Sequence, residues 1–137
     1  MIITPIRCEC GTVEVHLAGT PILQYVCHCD DCQAVHGAAY PVALFLASAV
    51  VFKQGKTSTV TRKTSPRTKC SCCGTYVFSE VPGQPFYGVN GHLLPAGQLK
   101  PEFHVQCQYA TSRIEDHLPH YRDTPVSFRG SGELMSW

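Results

Sequence analysis

The chain has 137 residues, a length typical of one domain, and its formal net charge is only +1. Charged residues make up 15% of the sequence, so bulk charge indicates neither a nucleic-acid nor a membrane-surface partner. The longest apolar stretch, residues 38–52, is shorter than the roughly 20 residues of a membrane span, and the first five residues lack the features of a secretory signal. We therefore expect one domain over residues 1–137, soluble and cytoplasmic.

Short β-type segments follow one another along the chain, separated by turns rich in the 11 glycines and 10 prolines. Residues 12–17 alternate apolar and polar side chains, as a half-buried strand does, and 39–46 and 50–52 are typical of buried strands. One short helix is predicted over residues 30–36, with Asp30 as its N-cap. The remaining strands are predicted at 57–62, 75–78, 86–89 and 103–109, and 113–137 as an irregular segment. The predicted fold class is mainly β, with at most short helices.

Nine cysteines dominate the chemistry of the chain, and all but Cys107 fall in three clusters, at residues 8–10, 27–32 and 70–73. In a reducing compartment, clustered cysteines are more often metal ligands or redox groups than structural disulfides. The odd total also argues against a fully paired disulfide framework. Thiolates grouped this closely favour zinc.

The first and third clusters combine into one four-ligand site. Cys8 and Cys10 leave an extended segment on the same face, and Cys70, Cys73 and the following Gly74 form a zinc knuckle. The predicted structural zinc ligands are Cys8, Cys10, Cys70 and Cys73. A disulfide between the two halves and plain buried thiols remain as alternatives. We expect Cys72 to be a neighbouring thiol that is not a ligand and Cys107 to be a core residue.

The middle cluster supplies three ligands, Cys27, Cys29 and Cys32, and leaves the fourth position of a zinc ion open. An open zinc can hold an incoming sulfur as a thiolate, which is a nucleophile toward a carbonyl carbon. Two alternatives stay open. A histidine can complete a closed site, the choices being His28, His36, His92 and His104, or Cys29 and Cys32 can form a redox pair. For His28 itself we expect a hydrogen bond to the backbone.

Six basic residues and no acidic one lie between Lys53 and Lys69. The segment is either a solvated edge or a local site for anions, such as the carboxylates of a substrate or, less favourably, phosphate. The best placed residues for binding substrate carboxylates are Arg62, Lys63 and Arg67.

The three cysteine motifs, in the order CxCG, CHCxxCxxxxG and CxxCG, resemble those of the glutathione-dependent formaldehyde-activating enzyme family. The segment from Asp116 to Tyr121 also resembles the family's closing segment, so the resemblance covers roughly residues 4–123. It implies a zinc-stabilised domain of twisted antiparallel β-sheets with two zinc ions, one structural and one catalytic, on the ligands given above. It further implies a carbon–sulfur lyase or S-(hydroxymethyl)glutathione synthase activity with glutathione and formaldehyde as partners.

A second hypothesis belongs to a different class of protein. The same zinc-stabilised sheet, with the basic run at 53–69, can serve as a non-enzymatic module that binds a protein or a nucleic acid. A salt-dependent interaction with DNA would distinguish the two.

Overall fold

The computed structural model describes residues 2–136. Within this range it contains one helix, α1 (Asp30–His36), and ten strands. The strands are β1 (Ile3–Arg7), β2 (Glu14–Ala18), β3 (Leu23–Cys27), β4 (Tyr40–Leu46), β5 (Val50–Gln54), β6 (Thr57–Thr61), β7 (Pro66–Cys70), β8 (Tyr76–Glu80), β9 (Phe86–Asn90) and β10 (Phe103–Val105). Four short 3₁₀ turns span Ala47–Ala49, Gly91–Leu93, Cys107–Tyr109 and Val126–Phe128.

The strands form two sheets, which confirms the mainly β fold. The smaller sheet has the order β1-β2-β5 and the larger has the order β10-β3-β4-β9-β8-β7-β6. Within residues 2–136, neighbouring strands are antiparallel except β3 and β10, which pair in parallel. The prediction of antiparallel sheets is therefore wrong at this edge. The reason is that β10 reaches β3 after the long stretch 91–102, so no hairpin turn imposes an antiparallel direction.

The main hydrophobic core joins the two sheets. Val15 and Leu17 of β2, on the alternating face that the sequence predicts, belong to the same buried cluster as Phe45 of β4 and Val89 of β9. Burying a side chain of this size contributes about 1.5–3 kcal/mol. The cluster also includes Cys8 and Cys70, two of the four predicted structural zinc ligands, whereas Cys10 and Cys73 are exposed. A second, smaller buried cluster contains Cys27 and Cys32.

Three strands were not predicted from the sequence, namely β1, β3 and β7. Pro5 interrupts the apolar pattern of β1, which is tolerated because β1 lies at the edge of its sheet. Strand β7 lies between β6 and β8, and Pro66 is tolerated there because it is the first residue of the strand. Strand β3, which lies between β10 and β4, shows no clear alternation in its burial, so its pattern did not predict a strand.

Two further predictions need correction. Residues 50–52 form a strand, but Val51 and Phe52 are 43% and 48% exposed because β5 is the outer strand of the small sheet. The single strand predicted over 103–109 ends at Val105, where Gln106 adopts a left-handed conformation with φ of 55°. Cys107 is nevertheless buried, as expected of a core residue. Among residues 2–136, no helix has both the length and the apolar character needed to cross a membrane.

Candidate metal centres and the cavities beside them

Four cysteine sulfurs converge where the loop after β1 meets the end of β7. The Sγ atoms of Cys8 and Cys10 are 3.6 Å apart, and those of Cys10 and Cys70 are 3.8 Å apart. Zinc–sulfur bonds of about 2.3 Å in a tetrahedron place the sulfurs about 3.8 Å apart, so the spacing fits a zinc ion. The group consists of the predicted residues Cys8, Cys10, Cys70 and Cys73. Cys72, predicted as a non-ligand, is exposed and lies outside the group.

Backbone and hydroxyl groups surround these sulfurs with hydrogen bonds. The N–H groups of Cys72 and Cys73 donate to Sγ of Cys70 over 3.3 and 3.4 Å, and the N–H of Val13 donates to Sγ of Cys8 over 3.3 Å. The hydroxyl of Thr75 lies 3.1 Å from Sγ of Cys73, and this hydrogen bond lowers the pKa of Cys73 to about 5. Such bonds favour the thiolate at Cys70 and Cys73, the form in which cysteine binds a metal.

The second group forms where β3 ends and α1 begins. Cys27 is the last residue of β3, Cys29 caps α1, and Cys32 lies in the first turn of the helix. Asp30 was predicted to be the N-cap, but Sγ of Cys29 takes that role by accepting a hydrogen bond from the N–H of Cys32 over 3.1 Å. The three Sγ atoms lie within 4.8 Å of one another.

The three thiols of this group do not ionise alike. Hydrogen bonds from Cys27 and Cys32, helped by the N–H of Cys32, lower the pKa of Cys29 well below that of an ordinary thiol. The pKa of Cys27 rises, because its hydrogen bond with Cys29 favours the proton on Cys27. Cys29 is also the least buried of the three. It is therefore the sulfur that most readily carries negative charge in the metal-free group.

A buried arginine holds this group from β7. Arg67 is 5% exposed, and it donates from Nη1 to Oδ2 of Asp31 over 2.7 Å and from Nη2 to Sγ of Cys32 over 3.3 Å. Burial is the largest single influence and opposes the positive charge, but the hydrogen bonds and charge interactions with Asp31 and Cys32 together raise the pKa of Arg67. The side chain thus couples the sulfur of Cys32 to a carboxylate on the same helix, a supporting contact of the kind that orients metal ligands.

The other two basic residues predicted to bind substrate lie nearer to solvent. Nζ of Lys63 pairs with Asp30, and Nη1 of Arg62 lies 3.4 Å from Oδ1 of Asp31. Both basic side chains are about half exposed, at 51% and 45%, and such pairs contribute at most about 1 kcal/mol.

A row of histidines lies behind the second group. Nε2 of His28 has a side-chain partner 2.8 Å away, Nδ1 of His104, and the hydrogen bond to the backbone expected for His28 stays a prediction. Nε2 of His104 is in turn 2.7 Å from Oδ2 of Asp116, and the His104 ring stacks on that of His120 at 4.2 Å. Burial, and then the proximity of His104, lower the pKa of His28 to about 4.

Through His104, this row connects Asp116 of the closing segment to His28 of the middle cluster. His104, Asp116 and His120 offer ligand atoms within 4.8 Å of one another, but both ring nitrogens of His104 already have partners, Nδ1 with His28 and Nε2 with Asp116. We therefore interpret this group as a structural support. Sequence analysis missed it because single histidines carry no spacing signal. The sequence pointed to its members only separately, through the closing segment 116–121 and through His28 and His104 as candidate ligands.

Two cavities meet at Cys27 and Cys29. One, of about 290 Å³, is lined mainly by apolar side chains from β3, β4, β9 and β10. The other, of about 380 Å³, is more polar and is lined by Asp30, Lys63 and Arg67, among others. Arg62 does not line either cavity. A bound molecule can thus reach the exposed side of Cys29 from two directions.

Comparison with known proteins gives a family match and a structural match. The family model described as glutathione-dependent formaldehyde-activating enzyme matches residues 4–109. A crystal structure of a Rhodobacter sphaeroides protein is similar, with a TM-score of 0.56 and 25% sequence identity, and the match covers 68% of this chain and 89% of that one. None of the curated proteins matches this chain.

Proposed function

This chain belongs to the glutathione-dependent formaldehyde-activating enzyme family, and on that basis we propose that it is a zinc-dependent carbon–sulfur lyase of the S-(hydroxymethyl)glutathione synthase type. It joins the sulfur of a small thiol, glutathione, to an aldehyde, formaldehyde, or separates them. The observation that supports this most is the position of the three-cysteine group between two cavities.

The donor atoms of this group suit zinc. The group contains three thiols and no histidine or carboxylate, within the part of the chain that the structure describes. Soft sulfur ligands select zinc, and three protein ligands leave room for a substrate atom. A zinc ion held there supplies a position at which a small thiol ionises near neutral pH. The four-cysteine group has no such room and takes the structural ion, which gives two zinc ions per chain.

The residues around the group divide the remaining work. Cys27, Cys29 and Cys32 hold the ion, and Arg67 positions Cys32 through their hydrogen bond. Lys63 lines the polar cavity and can leave Asp30 for a carboxylate of glutathione. Arg62 adds positive charge nearby. Arg67 keeps its partner Asp31 and lines the polar cavity that receives the thiol.

The bond changes balance without an oxidant or reductant. The thiol sulfur attacks the carbonyl carbon, a carbon–sulfur bond forms, and the π pair of the carbonyl moves to oxygen. That oxygen takes up the proton which the thiol has lost. The lyase direction is the reverse.

None of the nine cysteines forms a disulfide, which supports the cytoplasm as the location, since thiols are kept reduced there.

The test compares Cys29→Ser with Cys72→Ser, a change at an exposed cysteine outside both groups. Zinc per chain is measured by elemental analysis on reduced protein, and NMR exchange spectroscopy follows the interconversion of free and glutathione-bound formaldehyde. We expect two zinc ions and catalysed exchange for the wild type and Cys72→Ser. For Cys29→Ser we expect one zinc ion, an unchanged circular dichroism spectrum and only the uncatalysed exchange rate.

Catalysed exchange in a folded Cys29→Ser protein would contradict the proposal.

A non-enzymatic nucleic-acid module has less support, because Arg62, Lys63 and Arg67 all pair with aspartates of α1. Those pairs reduce the free positive charge that a phosphate backbone would meet.

A further inference from the structure

The apolar cavity beside Cys27 and Cys29 is larger than formaldehyde requires. Its volume is about 290 Å³, whereas formaldehyde brings a single carbon and no apolar group. Known ligand pockets begin at roughly the same volume and are lined mostly by apolar and aromatic side chains with a few polar groups. The apolar lining includes Leu23, Leu44, Phe86, Phe103, Val105 and Phe128.

The inner wall of this cavity is formed by the larger sheet. Phe103 of β10 stacks on Tyr25 of β3, with the ring centroids 6.1 Å apart, and Tyr121 meets the edge of Phe103 at 5.5 Å. Val105 is 5% exposed and Leu44 only 3% exposed. These side chains are held by the sheet, so the cavity keeps its shape.

The outer wall comes from a segment that lies beyond the family match. Thr124, Pro125 and Phe128 line the cavity, whereas the match ends at residue 109. The carboxylate of Asp123 ties this loop together, because its Oδ1 accepts from the N–H of Thr124 over 2.6 Å and from Oγ of Ser131 over 2.9 Å. The loop gives this chain an apolar wall that its cysteine motifs do not encode.

We infer that the carbonyl partner of this chain is an aldehyde with an aromatic or branched apolar group, which the apolar cavity receives while the thiol occupies the polar cavity. This inference rests on the proposed function and narrows its substrate. The thiol sulfur attacks the carbonyl carbon of the larger aldehyde, the carbon–sulfur bond forms and the oxygen takes the proton. The product is a hemithioacetal that carries the apolar group.

The test compares phenylacetaldehyde with formaldehyde, each with glutathione, at equal low aldehyde concentrations on the zinc-loaded wild type. Exchange spectroscopy gives the catalysed rate, which is divided by the uncatalysed rate of the same aldehyde. We expect the rate enhancement for phenylacetaldehyde to exceed that for formaldehyde by about tenfold or more, since even one methylene group in an apolar pocket is worth about tenfold or more.

A matched pair of variants locates the effect. Phe128 and Val126 lie on the same 3₁₀ turn, but Val126 is 72% exposed and does not line the cavity. Phe128→Glu should lower the ratio of the two enhancements by about tenfold, and Val126→Glu should leave that ratio unchanged.

The outcomes separate the two proposals. Catalysis with formaldehyde alone, or an equal enhancement for both aldehydes, overturns the substrate inference and leaves the proposed function standing. Catalysis with neither aldehyde in a zinc-loaded protein overturns the proposed function itself. The wild-type comparison decides the question even where Phe128→Glu does not fold.

Discussion

The two cysteine groups differ in how the chain assembles them. The four-cysteine group joins sequence positions 60 residues apart, as between Cys10 and Cys70, and two of its members, Cys8 and Cys70, belong to the main core. The three-cysteine group lies within residues 27–32, at a strand-to-helix junction with a cavity on each side. The first can hold the sheets together, and the second can receive a ligand. In the proposed function, the same residue type thus serves stability in one group and chemistry in the other.

The largest effect is expected from Cys70→Ser. Cys70 is 1% exposed and its sulfur accepts two backbone N–H groups in the four-cysteine group. A structural zinc ion supplies about 10 kcal/mol of folding free energy or more, so the loss of one ligand should remove most of the stability. Thermal denaturation and zinc analysis measure this, with Cys72→Ser as the control. A Cys70→Ser protein with wild-type stability would show that this group is not structural.

The next effect concerns the support beneath the three-cysteine group. His104 is 1% exposed and connects His28 with Asp116. His104→Ala leaves a cavity and removes both hydrogen bonds, so we expect the free energy of unfolding to fall by about 2–4 kcal/mol.

Two controls accompany His104→Ala in urea denaturation. His104→Asn can keep the bond to His28 from the position of Nδ1, so its loss of stability should be smaller. His117→Ala changes an exposed residue of the same segment and should leave stability within about 0.5 kcal/mol of the wild type. Equal losses for all three variants would contradict the supporting role of the row.

A smaller and more local effect is expected from Arg67→Lys. Lysine keeps the charge but cannot donate to Asp31 and Cys32 at once, as the planar guanidinium does. The affinity of the three-cysteine group for zinc should fall about 10- to 100-fold, the usual effect of losing a contact behind a metal ligand. Competition with a chromogenic chelator measures it. The four-cysteine group should keep its zinc, and the half-exposed Arg62→Lys should change neither. An unchanged affinity would assign Arg67 to substrate binding alone.

The smallest effect depends on pH and belongs to the wall of the apolar cavity. Hydrogen bonds from Ser131, with that from the N–H of Thr124, lower the pKa of Asp123 below the ordinary carboxyl value. A lowered pKa in the folded state stabilises the protein above about pH 3.9, and the contribution disappears as the pH falls through the folded value. Asp123→Ala should therefore lower the thermal midpoint at pH 7, and the difference from the wild type should shrink below pH 4. Glu115→Ala, at an exposed site, should show neither effect.

The sequence was most informative where the residue spacing is local and chemically specific. Spacings of two and three residues placed Cys27, Cys29 and Cys32 together, and the CxxCG knuckle indicated Cys70 and Cys73. The mainly β fold and the short helix Asp30–His36 also followed from local patterns. The single-domain organisation over 1–137, the identity of the metals and the substrate residues remain predictions.

What the sequence did not reveal depends on contacts between distant residues. The exposure of Phe52 follows from the position of β5 at the edge of its sheet, which residues 50–52 alone do not determine. The bonds from Arg67 to Cys32 and from His28 to His104 cross 35 and 76 residues. The predicted strand 103–109 ends at Gln106 because its backbone is left-handed, and no glycine at this position indicated that conformation. Local propensity does not predict these features, because they depend on the tertiary context.

The separation between Cys10 and Cys70 also has a consequence for the order of folding. Closing a loop of 60 residues costs more chain entropy than closing the short one at 27–32, and long-range contacts form late. During synthesis the three-cysteine group emerges complete when fewer than half of the residues have been made. The four-cysteine group must wait for Cys73. A nascent chain therefore offers its reactive thiols to metal and to oxidants before the sheets that later enclose them have formed.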